Sequence, residues 1–218
     1  MADLLYKELT GKIIGVYYDV YNGTSRTYPE FVYEKASGEM RSAVDGLADK
    51  LAKSGFRVDE VGLPPTFGVA HAALRTILRS EAASNHSDLY AKHRETYGRK
   101  IRAVVETGML LDAAPYVRAR RIRRKYQQEM TRLFEGFDVL MTPAAIGTAP
   151  GLESTGDPVM NSPWTMADVP IATLPCALGS NGMPLGVQLS AAPLQESLLL
   201  SVARAIEGVI NFQERPKL

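Results

Sequence analysis

Hydrophobic positions along this chain fall into two rhythms. Short unbroken apolar runs alternate with longer stretches in which apolar residues return every three or four positions. Residues 12–18, reading KIIGVYY, are apolar and β-branched, with Gly11 before them and Asn22-Gly23 after, and predict a buried strand. Met40, Val44, Leu47, Ala48 and Leu51 then share one stripe of an amphipathic helix. Gly55 follows, suited to the left-handed conformation that closes such a helix. Residues 56–63 predict a second strand, stopped by Pro64-Pro65. A strand, a helix and a strand in close succession form a right-handed crossover, so these two strands should be parallel.

From residue 69 to 136 the pattern is mostly helical, with breaks expected near Gly98, Gly108 and Pro115. The last of these helices is the clearest: Ala119, Ile122, Tyr126, Met130, Leu133 and Phe137 should face the core. Residues 138–142 predict a third strand, ended by Pro143. A long polar loop over 144–163 comes next, and loops of that length are often functional. Residues 169–178 and 185–190 predict two strands around Ser180-Asn181-Gly182, a hairpin signal because Asn and Gly tolerate positive φ. Residues 194–209 predict a closing helix with Leu198, Leu199, Val202 and Ile206 inward. The expectation is a single α/β domain over residues 1–218. Its sheet is mixed and mostly parallel, with a C-terminal β-hairpin and flanking helices.

Composition adds boundaries. The 218 residues are 45% hydrophobic and 22% charged, enough for a real core without staples. A net charge of +1 gives no whole-molecule field that favours a polyanion, so nucleic acid is not expected as a partner. Cys176 is the only cysteine, which excludes an intrachain disulfide and fits a reducing, cytoplasmic setting. No apolar run approaches the roughly 18 residues of a membrane span, and no signal-peptide pattern is present.

The residues of this chain form no recognisable catalytic motif. No Gly-x-Ser-x-Gly elbow occurs, and Gly179-Ser180-Asn181-Gly182 is explained by hairpin chemistry. Ser37 and Ser54 each have a lysine one or two positions away, a spacing that does not face the two groups together on a helix. His86 and His93 lie seven apart, about 10 Å along a helix, too far to share one metal unaided. His71 stands alone, and no Gly-rich loop follows a strand in a phosphate-binding pattern. No metal or cofactor is expected. Cys176, inside an apolar strand after Pro175, reads as a small buried hydrophobe. The basic run Arg118, Arg120, Arg121, Arg123, Arg124 and Lys125 reads first as a solvated helix face; the alternative is contact with a polyanion or an acidic partner chain.

Five segments, taken in order, resemble the C-terminal half of the amidase signature family. They are Gly11-Lys12-Ile13-Ile14-Gly15-Val16; Gly55-Phe56-Arg57-Val58 with Leu63-Pro64; Phe137-Asp138-Val139-Leu140-Met141-Thr142-Pro143; Val169-Pro170 with Leu174-Pro175; and Gly182-Met183-Pro184-Leu185-Gly186-Val187-Gln188-Leu189. The resemblance implies part of the amidase-signature fold and a role in hydrolysing a small-molecule amide, or in releasing ammonia from one for a partner enzyme. In that family a serine nucleophile, a bridging serine and a lysine base do the work, and all three precede the strand that residues 11–16 resemble. No catalytic residue is therefore expected in this chain. The resemblance implies a missing N-terminal half or a partner subunit, no hydrolysis by the chain alone, and association, including homo-oligomers, through the apolar surface such a half would cover. A binding or assembly subunit, or half of a split amidase or amidotransferase, is the alternative, and an unrelated doubly wound ligand-binding domain is a third. By position, the loop ending at Asn161, Trp164 and Thr165 would form a substrate-binding wall, with helical residues between Ala72 and Met109 as further lining. Trp164 has a second reading as an anchor of that loop on the core. With no cation aligned to hold a substrate carboxylate, the resemblance implies a general amidase or an allophanate-hydrolase-like parent. A hairpin whose second strand lies beside the third strand would support the family over the unrelated domain.

Overall fold

Strand β1 (Ile13–Tyr17) runs between two parallel neighbours, β2 (Arg57–Val61) and β3 (Val139–Pro143). The computed structural model describes residues 13–17, as backbone, and 35–215. Gly11, Lys12, Tyr18 and the Asn22-Gly23 turn expected around β1 lie outside the described residues.

Helix α1 (Gly38–Lys53) joins β1 to β2 and forms where its sequence provides a cap, a stripe and a stop. The Oγ of Ser37 accepts a hydrogen bond from the Met40 N–H at 3.2 Å, satisfying one of the free donors at the helix start. Glu39 in the first turn and Lys50 and Lys53 in the last complement the helix dipole. Met40, Val44, Leu47, Ala48 and Leu51 are all buried, as their spacing predicts. Gly55 closes the helix at φ 91°, and β1 and β2 pair in parallel.

The helical middle of the chain holds α2 (Phe67–His93), a 3-10 turn (Arg94–Thr96), α3 (Arg99–Met109) and α4 (Ala113–Phe134). A break falls at Gly98, as expected, and another at residues 110–112, so the breaks expected near Gly108 and near Pro115 are one and the same, with both residues inside the flanking helices. Gly108 lies inside α3 where that helix crosses α2; a Cβ there would stand 1.9 Å from the Arg79 carbonyl oxygen, so the residue serves close approach. Pro115 sits in the first turn of α4, where its missing N–H has no helical acceptor to lose. On α4, Ala119, Tyr126 and Met130 are buried, while Ile122 and Leu133 pack at the core's margin.

The polar loop is shorter than 144–163. A 3-10 turn (Pro158–Met160) and a short helix α5 (Ser162–Ala167) occupy its end. Strands β4 (Ile171–Leu178) and β5 (Pro184–Ser190) then form the predicted antiparallel hairpin. Its turn is closed by Gly182 N–H to the Gly179 carbonyl at 2.9 Å, and Gly182 alone of the Asn-Gly pair takes a positive φ, 76°. Helix α6 (Glu196–Ile210) is the last element of the described residues.

The strand order is β2-β1-β3-β5-β4. The sheet is mixed, but the expectation of a mostly parallel one is wrong: β1 pairs in parallel with β2 and β3, whereas β3–β5 and β5–β4 are antiparallel. The reason is that β5 turns back from the hairpin and inserts between β3 and β4, so its two ladders both run antiparallel. This small antiparallel half is the arrangement expected if the hairpin's second strand lies beside β3. Every residue of β3 is buried, which requires cover on both faces of the sheet. Helix α1 packs across the sheet against β2, β3, β4 and β5, α6 packs on β4 and β5, and one continuous core joins the sheet to α2, α4 and α5. Among the described residues, no helix is long and apolar enough to cross a membrane.

Candidate functional site

The segment from Asp157 to Asp168 is held by four local devices. Asp157 Oδ1 accepts from the Val159 N–H at 2.9 Å and starts the 3-10 turn, with Pro158 in its first turn. The Asn161 N–H donates to the Pro158 carbonyl at 2.9 Å. Pro163 in the first turn then favours α5. Asp168 stops α5 in the left-handed conformation, φ 63°.

These constraints place the three sequence-predicted residues differently. Trp164 is 2% exposed and lies in the core, the arrangement of an anchor for the loop. Asn161 and Thr165 are exposed, and the Thr165 hydroxyl donates to the Asn161 carbonyl at 3.3 Å. Thr165 also opens onto a cavity of about 410 Å³, shared with Leu74, Ile77, Leu78 and His86 of α2 and Arg123 of α4. The span between Ala72 and Met109 thus contributes lining residues, but only from α2. The lining combines apolar side chains (Leu74, Ile77, Leu78) with polar ones (Glu81, Asn85, His86, Arg123, Thr165), a mixture suited to a small molecule with a polar end.

Its polar groups are tethered. His86 Nδ1 and the Tyr97 hydroxyl lie 2.8 Å apart, with the two rings edge-on. The Glu81 carboxylate, also at the cavity, accepts from the Tyr116 hydroxyl at 3.1 Å and from Arg120 at 3.3 Å. Beyond them, Tyr90 and Arg94 both donate to Glu106 at 2.5 Å, tying α2 to α3. These two bonds hold the Glu106 carboxyl below the usual carboxylate range.

Gln188, quoted in the sequence only as part of a motif, has a structural task that the pattern did not reveal. It is buried on β5, and its amide donates to Thr142 Oγ1 on β3 and to the Met160 carbonyl, both at 3.4 Å. It therefore fastens the 3-10 turn, and α5 behind it, to the sheet. A polar amide with two donors between Val187 and Leu189 of an otherwise largely apolar strand was the available signal.

Among the described residues, no serine hydroxyl is hydrogen-bonded to a lysine or histidine. The bonds of Ser54, Ser87 and Ser201 go to backbone carbonyls of their own helices. The Cys176 thiol donates to the Leu185 carbonyl at 3.4 Å, and burial pushes its pKa up to about 11, so it is a poor nucleophile. His71 is kept below its usual pKa, first by burial and then by Arg75. No group of three His, Cys, Asp or Glu side chains among the described residues is placed to hold a metal ion.

The fold and these segments have relatives. The family profile described as Amidase matches residues 26–200. One subunit of the glutamyl-tRNA(Gln) amidotransferase of Macrococcus caseolyticus (strain JCSC5402) is 29% identical over 217 residues, covering 85% of this chain and 45% of that protein. The AtzE chain of 1-carboxybiuret hydrolase from Pseudomonas sp. (strain ADP) is 31% identical, covering 80% and 40%. An inhibitor-bound structure from a vestigial complex, described as revealing the origins of an s-triazine catabolic enzyme, matches with a TM-score of 0.77. It is 28% identical and covers 94% of this chain and 45% of its own. A crystal structure described as an amidase, at 24% identity and a TM-score of 0.79, agrees in fold. The chain spans about half the length of the curated relatives it matches, aligned to their C-terminal part.

Proposed function

Since this chain belongs to the amidase family, we propose that it forms the C-terminal wall of an amide-hydrolysing site, with the nucleophilic serine and lysine base supplied by the other half of that fold. One observation carries the reading. The family match covers residues 26–200, which hold four of the five strands and the hairpin, while the serines and the cysteine among the described residues are tied to backbone carbonyls or lack an adjacent base. In this role the chain contributes half of the sheet and one side of the acyl pocket. Asn161 and Thr165 meet the polar end of a small amide, and Trp164 fixes them from behind. A cytoplasmic setting suits the single free thiol.

The missing half would join at β4. Among the described residues that strand is paired on one side only, and Ile171 and Leu178 on it are each 44% exposed. A long apolar edge strand is a template for another strand. The test is ammonia release from simple amides, including glutamine. The purified chain alone should show none, and mixing with a polypeptide carrying the serine-lysine half of an amidase should restore turnover. Hydrolysis by the chain alone would overturn the proposal.

A second reading is a non-catalytic assembly subunit, supported by the likeness to a chain of a vestigial complex. A stable complex from the native source that never turns over an amide would favour it.

A further inference from the structure

Arg120, Arg121, Arg123, Arg124 and Lys125 of α4, with Asp168 opposite, line a cavity of about 670 Å³. Five cations there face a single carboxylate. The chain's own acids answer part of that charge. Glu81 lies 3.3 Å from Arg120, Asp168 3.8 Å from Arg123 and Glu129 3.8 Å from Lys125. Arg121 and Arg124 form no ion pair with any described residue. The Nε of Arg123 is buried and has no hydrogen-bond partner. Helical spacing also sets Arg120 beside Arg124 and Arg121 beside Lys125, like charges four apart that work against the helix carrying them. A multivalent counter-ion would remove that repulsion.

We propose that this cavity binds an oligophosphate, a ligand with three or more linked phosphate groups. Four of the five cations are arginines, whose planar forks take phosphate oxygens two at a time. Gln127 and Gln128 add neutral amide donors at the rim. The only apolar side chain in the lining is Val117, and no aromatic ring is present. Such a lining offers a nucleotide base no stacking platform, so the phosphate chain itself is the recognised group. A near-neutral chain overall, at +1, concentrates this charge on one helix face and does not spread it.

The test is calorimetric titration of the full chain with sodium tripolyphosphate at low and at physiological salt. Saturable binding that weakens as salt rises is expected, with orthophosphate far weaker. Arg121→Gln with Arg124→Gln should lower the affinity by roughly tenfold or more, because two charge-assisted contacts are lost. Both side chains are exposed, so unchanged circular dichroism should accompany the loss. Lys53→Gln with Arg99→Gln, equal in charge and placed elsewhere, should leave binding intact. Three results would each overturn the proposal: no saturable heat, equal loss in the control pair, or orthophosphate binding as tightly as tripolyphosphate. Duplex DNA outcompeting tripolyphosphate at matched phosphate concentration would also overturn it, in favour of a nucleic-acid surface.

Discussion

The side-chain amide of Gln188 reaches across from β5 to the backbone carbonyl of Met160 at 3.4 Å, and through that bond the sheet holds the 3-10 turn that precedes α5. Gln188→Leu keeps the volume but leaves the Met160 carbonyl without this buried donor. The expected loss is about 1–3 kcal/mol of stability, read from urea unfolding. Faster proteolysis between residues 144 and 161 should accompany it. An unchanged midpoint would show that the bond is incidental.

Gly108 and Gly46 make a matched pair. Both are helical, but a Cβ on Gly108 would meet backbone at 1.9 Å, whereas one on Gly46 would meet nothing within 4 Å. Gly108→Ala should therefore destabilise by about 1–3 kcal/mol or more, despite the better helix propensity of alanine. Gly46→Ala should stabilise by roughly 0.4–1 kcal/mol. Thermal melts of the two variants should shift in opposite directions.

Cys176 should resist alkylation. With its pKa raised to about 11 by burial, the thiol stays protonated through neutral pH, and its reaction rate should climb only as pH approaches that value. The sign for stability follows. Between the ordinary cysteine value and 11 the unfolded chain has lost this proton while the folded chain keeps it, so the contribution of Cys176 to stability falls as pH rises through that window. Iodoacetamide labelling against pH measures the first effect. Rapid labelling at pH 7 would contradict it.

His71 works at the other end of the scale. Its folded pKa lies below 6.5, so on acidification the unfolded chain takes up this proton first. The stability it contributes is present above about 6.5, an ordinary histidine value, and drains away as pH falls through the folded pKa. His71→Asn should flatten that limb of a stability-against-pH curve. A curve identical to that of the parent would rule out His71 as its source.

How much of this was legible in the residues depends on whether the relevant force was local. The stripe of Met40, Val44 and Leu51, the stop at Gly55 and the hairpin at Gly182 are set by neighbours in sequence, and each follows from the pattern. Gly108 does not, because a glycine inside a helix looks the same whether it breaks the helix or admits a neighbour; only the Arg79 carbonyl on α2 distinguishes the two. The pairing of β5 with both β3 and β4 was legible as a hairpin and a neighbour, yet its effect on the balance of the sheet was not. Strand direction depends on where the hairpin inserts, and the alternation of Leu185, Val187 and Leu189 is the same for either position. At the site, position in the chain singled out Asn161, Trp164 and Thr165 but did not choose among the helical residues between Ala72 and Met109; that Thr165 shares a cavity with α2 is visible only in the fold. Arg123 lines both cavities, a sharing that depends on how α4 and α5 pack and that no spacing records.

Because β5 lies inside the sheet although it comes last among the strands, the sheet is not finished by the order in which its parts leave the ribosome. A nascent chain extended only to Leu178 has made β3 and β4 but lacks the strand that separates them. Until Ser190 has emerged, the edges of β3 and β4 that β5 pairs in the folded sheet have no strand to pair with. A chaperone that shields β3 during that interval would keep an apolar, unpaired edge from sticking to its neighbours.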